Sequence, residues 1–191
     1  MGIAERKGRE KAERETLIVA TARQIAEAES WEAVTIRRLA REIEYSQPVL
    51  YAHFSNRDDI VAAVALQGFS ELAAQLGEAV AKAASPQDAL LRTSATYLDF
   101  ALSRPALYEA MFVLPTGLLF GDAETRQELR AGFDAITVAV APFCDHAEVV
   151  AETLWAALHG LAELERSNRI RPDLRDQRIM LVAQAIVAAK A

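Results

Sequence analysis

Four side chains able to bind nucleic acid fall within eight positions: Ser46, Gln47, Tyr51 and His53. Gln can make two hydrogen bonds to one base edge, and Ser, Tyr and His can reach phosphate oxygens. Their spacing decides what they can do together. Ser46 is a good N-cap, and Pro48 suits a first helical turn, where a missing N–H costs nothing. Val49, Leu50 and Phe54 can then point inward, which leaves Gln47, Tyr51 and His53 on the other side with the exposed cap. The stretch is expected to be a short helix with one apolar face and one hydrogen-bonding face, suited to meeting DNA.

Such a helix needs elements that hold it. From about residue 11 to 29, Ile18, Ala22, Ile25 and Ala26 form one helical stripe. Thr35 caps a second, short helix with Ile36, Leu39, Ala40 and Ile43 inward and Arg37, Arg38 and Arg41 outward. These arginines read either as a solvated face or as phosphate contacts. Glu44-Tyr45 makes a tight turn, so the second and third helices form a helix-turn-helix. Asn56 with Asp59 resembles a capping box that starts a long helix to about residue 82, with Ile60, Val64, Leu72 and Leu76 inward. Ser85-Pro86-Gln87-Asp88 is a strong start signal and marks a domain boundary. Further helices are expected at about 86–102, 106–112, 123–141, 146–168 and 174–190, with Asp145, Glu148 and Asp173 as caps. An apolar loop with Pro115, Gly117 and Gly121 lies between the helices at 106–112 and 123–141. The fold class is all-α, about nine helices with no strand pattern. The domains are a helix-turn-helix at 11–57, a connecting helix at 58–84 and a larger helical domain at 85–191.

Composition narrows the functions. The single cysteine, Cys144, and three scattered histidines exclude an internal disulfide and a zinc site of ordinary spacing. There is no Gly-rich phosphate loop and no nucleophile motif, so no enzyme and no cofactor is expected. No apolar run of about 18 residues is seen, and the charged N-terminus leads into no secretory segment, so a cytoplasmic protein is expected. The first ten residues are either a basic arm for a minor groove or a mobile tail, and Glu5 and Glu10 favour the tail. Net charge is −6, yet up to Arg57 there are ten Lys/Arg against nine Asp/Glu, and beyond it 11 against 18. The acidity lies away from the proposed DNA end.

The residues Thr35-Ile-Arg-Arg-Leu-Ala-Arg-Glu-Ile43, Tyr45-Ser46-Gln-Pro-Val-Leu-Tyr51-Ala-His53-Phe54 and Asn56-Arg57-Asp-Asp-Ile60 resemble the DNA-binding domain of the TetR family of bacterial transcriptional regulators. The resemblance covers about residues 12–62. It implies that Gln47, Pro48 and Tyr51 face bases, that Thr35, Ser46, His53 and Arg57 hold phosphates, and that the unit binds a palindromic operator as a dimer. Position 44 is commonly Gly in that family, because the turn favours positive φ; here it is Glu. A second, weaker resemblance joins Leu154-Trp155-Ala-Ala-Leu-His159-Gly160-Leu161 to the Trp…His-Gly (WHG) helix of a TetR C-terminal subfamily.

Trp155 and His159 stand four apart on one helix face. They read either as packed core or as the lining of an effector pocket with Tyr97, Phe100, Tyr108, Met111, Phe112 and Phe120. The loop at 113–121 would then be its entrance, and the effector would be small and largely apolar. Gly160 would let another helix come close. The last two helices carry more than one apolar stripe (Val149, Val150, Leu154, Leu158, Leu161; Ile179, Leu181, Val182, Ile186, Val187), which predicts a homodimer through them. The function expected is a ligand-responsive transcriptional regulator, a repressor by preference. The alternative is a helical small-molecule-binding or enzymatic bundle without DNA binding.

Overall fold

The computed structural model describes residues 2–119 and 125–188. Among these it is all helix, with no strand: α1 (Ile3–Ala28), α2 (Ile36–Glu42), α3 (Gln47–Tyr51), α4 (Arg57–Ala81), α5 (Pro86–Ser103), α6 (Pro105–Phe112), α7 (Gln127–Val140), α8 (Ala147–Arg166) and α9 (Arg175–Ala188). Single 3-10 turns stand at Trp31–Ala33, Ala141–Phe143 and Pro172–Leu174. The chain divides into two compact units. One takes in residues up to Gly68 together with Arg104–Leu118; the other takes in Phe69–Ser103 and the chain from Leu119.

Local signals account for several starts. Ser85 Oγ accepts from Asp88 N at 3.1 Å while the Asp88 carboxylate accepts from Ala84 N at 2.9 Å and Arg92 Nε at 2.8 Å. Asn56 Oδ1 accepts from Asp59 N at 2.9 Å in the same manner. Two expectations need correction. The N-terminal residues are not a tail: α1 starts at Ile3, where Glu5 accepts from Gly2 N at 2.7 Å and Arg6 pairs with Glu10 at 3.6 Å. Alternating charges that dilute one another as a tail support one another as i,i+4 pairs on a helix. And α8 has His146, not Asp145, at its N-cap, with no side-chain cap bond.

In the first unit, Ile18, Ala22, Ile25, Trp31, Val34, Leu39, Leu50, Ile60 and Val64 are buried together. α6 belongs to this unit. The Trp31 indole donates to Ala106 O at 2.8 Å, and the Glu27 carboxylate accepts from Ala106 N at 3.3 Å and Leu107 N at 3.0 Å, capping the bare amides that open the helix. A Cβ at Gly68 would lie 2.5 Å from Met111 Sδ, so α4 and α6 touch closely at that point. Gly160, where the sequence suggests a close approach, has open space beside its Cα within the chain.

In the second unit, α5, α7, α8 and α9 pack together. Glu165, its side chain 5% exposed, joins three of them: it pairs with Arg175, accepts from Arg178 Nη2 at 3.2 Å, and Arg175 Nη1 continues to Asp99 on α5 at 3.1 Å. Against the expectation of no long apolar run, α4 has the length and a mean hydropathy, 1.3 over its best window, to cross a membrane. Its Ile60, Val61, Val64, Ala65, Phe69, Leu72 and Leu76 are instead buried in protein.

Candidate nucleic-acid interface

The turn that aims α3 is a helix C-cap. Tyr45 N donates to Ala40 O at 2.9 Å and Glu44 N to Arg41 O at 3.4 Å, the paired bonds of a Schellman ending. That ending requires a left-handed residue, and Glu44 takes it at φ 58°. The chain therefore keeps the turn and carries the strain that glycine would spare it.

α3 follows from Ser46, whose backbone is extended (φ −78°, ψ 151°), with Pro48 in the first turn. Leu50 is fully buried and anchors the helix. Ser46, Gln47 and Pro48 are exposed, and Tyr51 is 54% exposed. The Ser46 side chain makes no cap bond, so its hydroxyl is not spent on its own helix. Thr35 does cap: its Oγ1 accepts from Arg38 N at 3.1 Å, while its hydroxyl hydrogen is left to donate outward.

His53 and Arg57 lie differently from the first four. The His53 side chain is 6% exposed, and its Nδ1 lies 3.3 Å from Glu15 Oε1 on α1. Arg57 gives Nε to Val34 O at 3.0 Å and Nη2 to Trp31 O at 2.6 Å. Both side chains brace the platform: one ties the end of α3 to α1, the other ties α4 to the turn before α2. The three arginines of α2 also separate. Arg38 grips both oxygens of Glu29, at 2.7 and 2.9 Å, and reaches Glu42 at 3.2 Å; its hydrogen bonds hold the Glu29 carboxyl below its ordinary pKa. Arg41 pairs with Glu42 at 3.2 Å. Arg37 is exposed and has no hydrogen bond or ion pair among the described residues. It is the α2 arginine left available to a phosphate.

The effector candidates divide between the units. Tyr97 and Phe100 on α5 are buried in the second unit, where Trp155 Nε1 donates to Tyr97 Oη at 3.0 Å and Phe133 meets the indole edge-on at 6.5 Å. Burial pushes the half-buried His159 imidazole below its ordinary pKa; the Glu163 charge opposes the shift and Arg166 adds to it. Tyr108, Met111 and Phe112 are in the first unit, the first two buried, with the Tyr108 and Phe112 rings 4.7 Å apart. Phe120 lies outside the described residues. One group escapes the sequence reading. Thr93, one turn before Tyr97 on α5, is fully buried and its hydroxyl finds no hydrogen-bond partner among the described residues. Its neighbour Ser94 spends its hydroxyl on Leu90 O at 2.8 Å, as helical Ser and Thr commonly do.

Residues 18–64 match the family model of bacterial regulatory proteins of the tetR family, and residues 90–188 match that of the tetracyclin-repressor-like C-terminal domain. The chain belongs to the TetR family. An uncharacterised HTH-type transcriptional regulator of Mycobacterium tuberculosis is 30% identical over 155 residues, 79% of this chain and 69% of that one. A protein of unknown function from Rhodococcus sp. RHA1 superposes with a TM-score of 0.72 at 22% identity, covering 92% and 94% of the two chains. The TetR family regulator PfmR from Thermus thermophilus gives 0.62 at 18% identity, covering 90% and 97%. Both structures establish the fold. TetR-family proteins are DNA-binding transcription factors and not enzymes, and they bind DNA as dimers and small molecules as effectors. This TetR-family chain is accordingly a ligand-responsive DNA-binding regulator, and the rival of a bundle without DNA binding is set aside.

Proposed function

We propose that this regulator is a cytoplasmic repressor that reads a palindromic operator through α3 and is released by a small, largely apolar effector. The observation that carries the first part is the α3 surface: Leu50 fully buried beneath, Gln47, Pro48 and Tyr51 exposed above, and the Ser46 hydroxyl not spent on its cap. Gln47 and Tyr51 meet base edges, and Ser46, Thr35 and Arg37 hold the backbone. His53 and Arg57 act by fixing the helix on its platform. Dimerisation through α8 and α9 is supported by Val149 (63% exposed), Met180 (52%) and Leu181 (65%), apolar side chains on helices whose other faces are buried. Two-fold symmetry then sets recognition helices about 34–36 Å apart, for successive major grooves.

The effector reading rests on the second unit. Tyr97, Trp155, His159 and the unpartnered Thr93 hydroxyl offer neutral hydrogen-bonding groups beside the aromatic rings of Phe100 and Phe133. An uncharged, mostly apolar molecule suits such a set, because a buried charge would lack a counter-charge. Binding would favour one conformer over another, and α4, whose residues belong in part to each unit, is the continuous element able to carry the difference.

Selection from a random duplex library at two salt concentrations tests the DNA reading. A palindrome should be enriched, with affinity falling as salt rises. Failure to enrich any sequence, for the wild type and for Glu44→Gly alike, would overturn it. With the operator in hand, lipophilic compounds should release the protein. Release by a highly charged metabolite alone would overturn the apolar effector.

A further inference from the structure

We propose that the first turns of α1 form a second DNA-gripping element, in which Lys7, Lys11 and Arg14 hold the phosphate backbone beside the site read by α3. The inference rests on the DNA-binding reading above. Residues 7, 11 and 14 follow the i, i+4, i+7 spacing of one helical stripe, and the next members of that stripe are Ile18, Ala22 and Ile25. Those three are 1%, 0% and 7% exposed. The stripe that packs α1 into its unit therefore runs on, past the packed region, as three exposed basic residues. No acidic residue stands on it. The acids of the same turns lie on the flanks and the far side, where they accompany Arg6 and Arg9; Arg6 pairs with Glu10 at 3.6 Å.

Two distances place the stripe next to the reading helix. Lys11 Nζ lies 3.7 Å from Glu15 Oε1, and the same oxygen lies 3.3 Å from His53 Nδ1 at the end of α3. Lys11 thus stands beside α3, and Lys7 stands one turn further along the free length of α1. Charge makes this useful. Up to Arg57 the chain has ten basic against nine acidic residues, so backbone affinity cannot come from a general positive field and must come from basic residues set apart from acids. A solvated helix face would have no need of that segregation.

The test compares two variants that lose the same charge from opposite faces: Lys7→Gln/Lys11→Gln and Arg6→Gln/Arg9→Gln. Both are made in the full chain and checked for unchanged helix content by circular dichroism. Binding to the selected operator duplex is measured from low to high salt. In a dimer the first variant removes up to four phosphate contacts, so the slope of log K against log salt should fall by about 3 to 4, with at least about a tenfold loss of affinity at low salt. The second should change the slope by less than about one. Equal effects from the two variants, or no change from the first, would overturn the proposal while leaving α3 as the reader. If the wild type bound no duplex at any salt, the DNA-binding reading itself would fall first.

Discussion

Tyr51 and His53 are two positions apart on one short helix, yet one is 54% exposed and the other's side chain is 6% exposed against Glu15. Sequence places both on the same hydrogen-bonding face, because helical periodicity assigns faces but not the neighbours that cover them. His53 and Arg57 find their partners 38, 23 and 26 residues away, beyond the reach of any local pattern. Replacing Tyr51 by Ala should cost roughly 1–3 kcal/mol of operator affinity and leave the melting temperature unchanged, read by gel shift and thermal unfolding together. Thr93→Val should behave in the opposite way. It removes a buried hydroxyl without a partner, so the melting temperature of the free protein should hold or rise, while the shift produced by a releasing compound should shrink. His159 gives a pH dependence. Its folded pKa lies below the unfolded 6.5, so folding favours the neutral ring; its contribution is full above 6.5 and is lost as pH falls through the lower folded value. Denaturant midpoints taken between neutral and acidic pH should decline less steeply for His159→Gln than for the wild type.

At the level of elements, ends were more legible than faces. Ser85 with Asp88 and Asn56 with Asp59 declare their helix starts within four residues, and both form as expected. The end of α2 is the instructive case. The hydrogen bonds of the turn are those a glycine would make, while the residue is Glu44 at φ 58°. Geometry is kept because two backbone bonds and the buried Leu39, Ala40 and Leu50 around it outweigh a local strain of about 1 kcal/mol. Glu44→Gly should therefore raise stability by up to about 1 kcal/mol in urea titrations, offset in part by the freer unfolded chain. An unchanged or lower midpoint would mean that Glu44 makes compensating contacts. The start of α1 went unread for the reverse reason. Its charges were visible, but only a formed helix converts their alternation into support.

Across the whole molecule, the sequence marked both family domains and the all-helical class, since periodicity and caps recur throughout the chain. Which segments gather into which compact unit was not legible, because that depends on packing between distant helices. Partner surfaces belong to this scale as well. Leu181 is 65% exposed on α9 while Ile179 and Ile186 on the same helix are buried. Leu181→Glu should leave helix content intact and shift the protein toward monomer in sedimentation experiments at micromolar concentration, with weaker operator binding in step. A dimer indifferent to the change would move the interface elsewhere.

The place of α6 has a consequence for how the protein is made. The buried indole of Trp31 and the carboxylate of Glu27 find their partners at Ala106 and Leu107, and the first unit is complete only with Arg104–Leu118. A ribosome that has delivered the helix-turn-helix has therefore not delivered a finished reader. The N-terminal fragment waits, with Trp31 and Leu39 unsheltered, until α4, α5 and α6 have emerged in turn. A gene fragment cut after the connecting helix should thus encode a poor DNA-binding domain, and swapping such a fragment between relatives should succeed only when α6 travels with it.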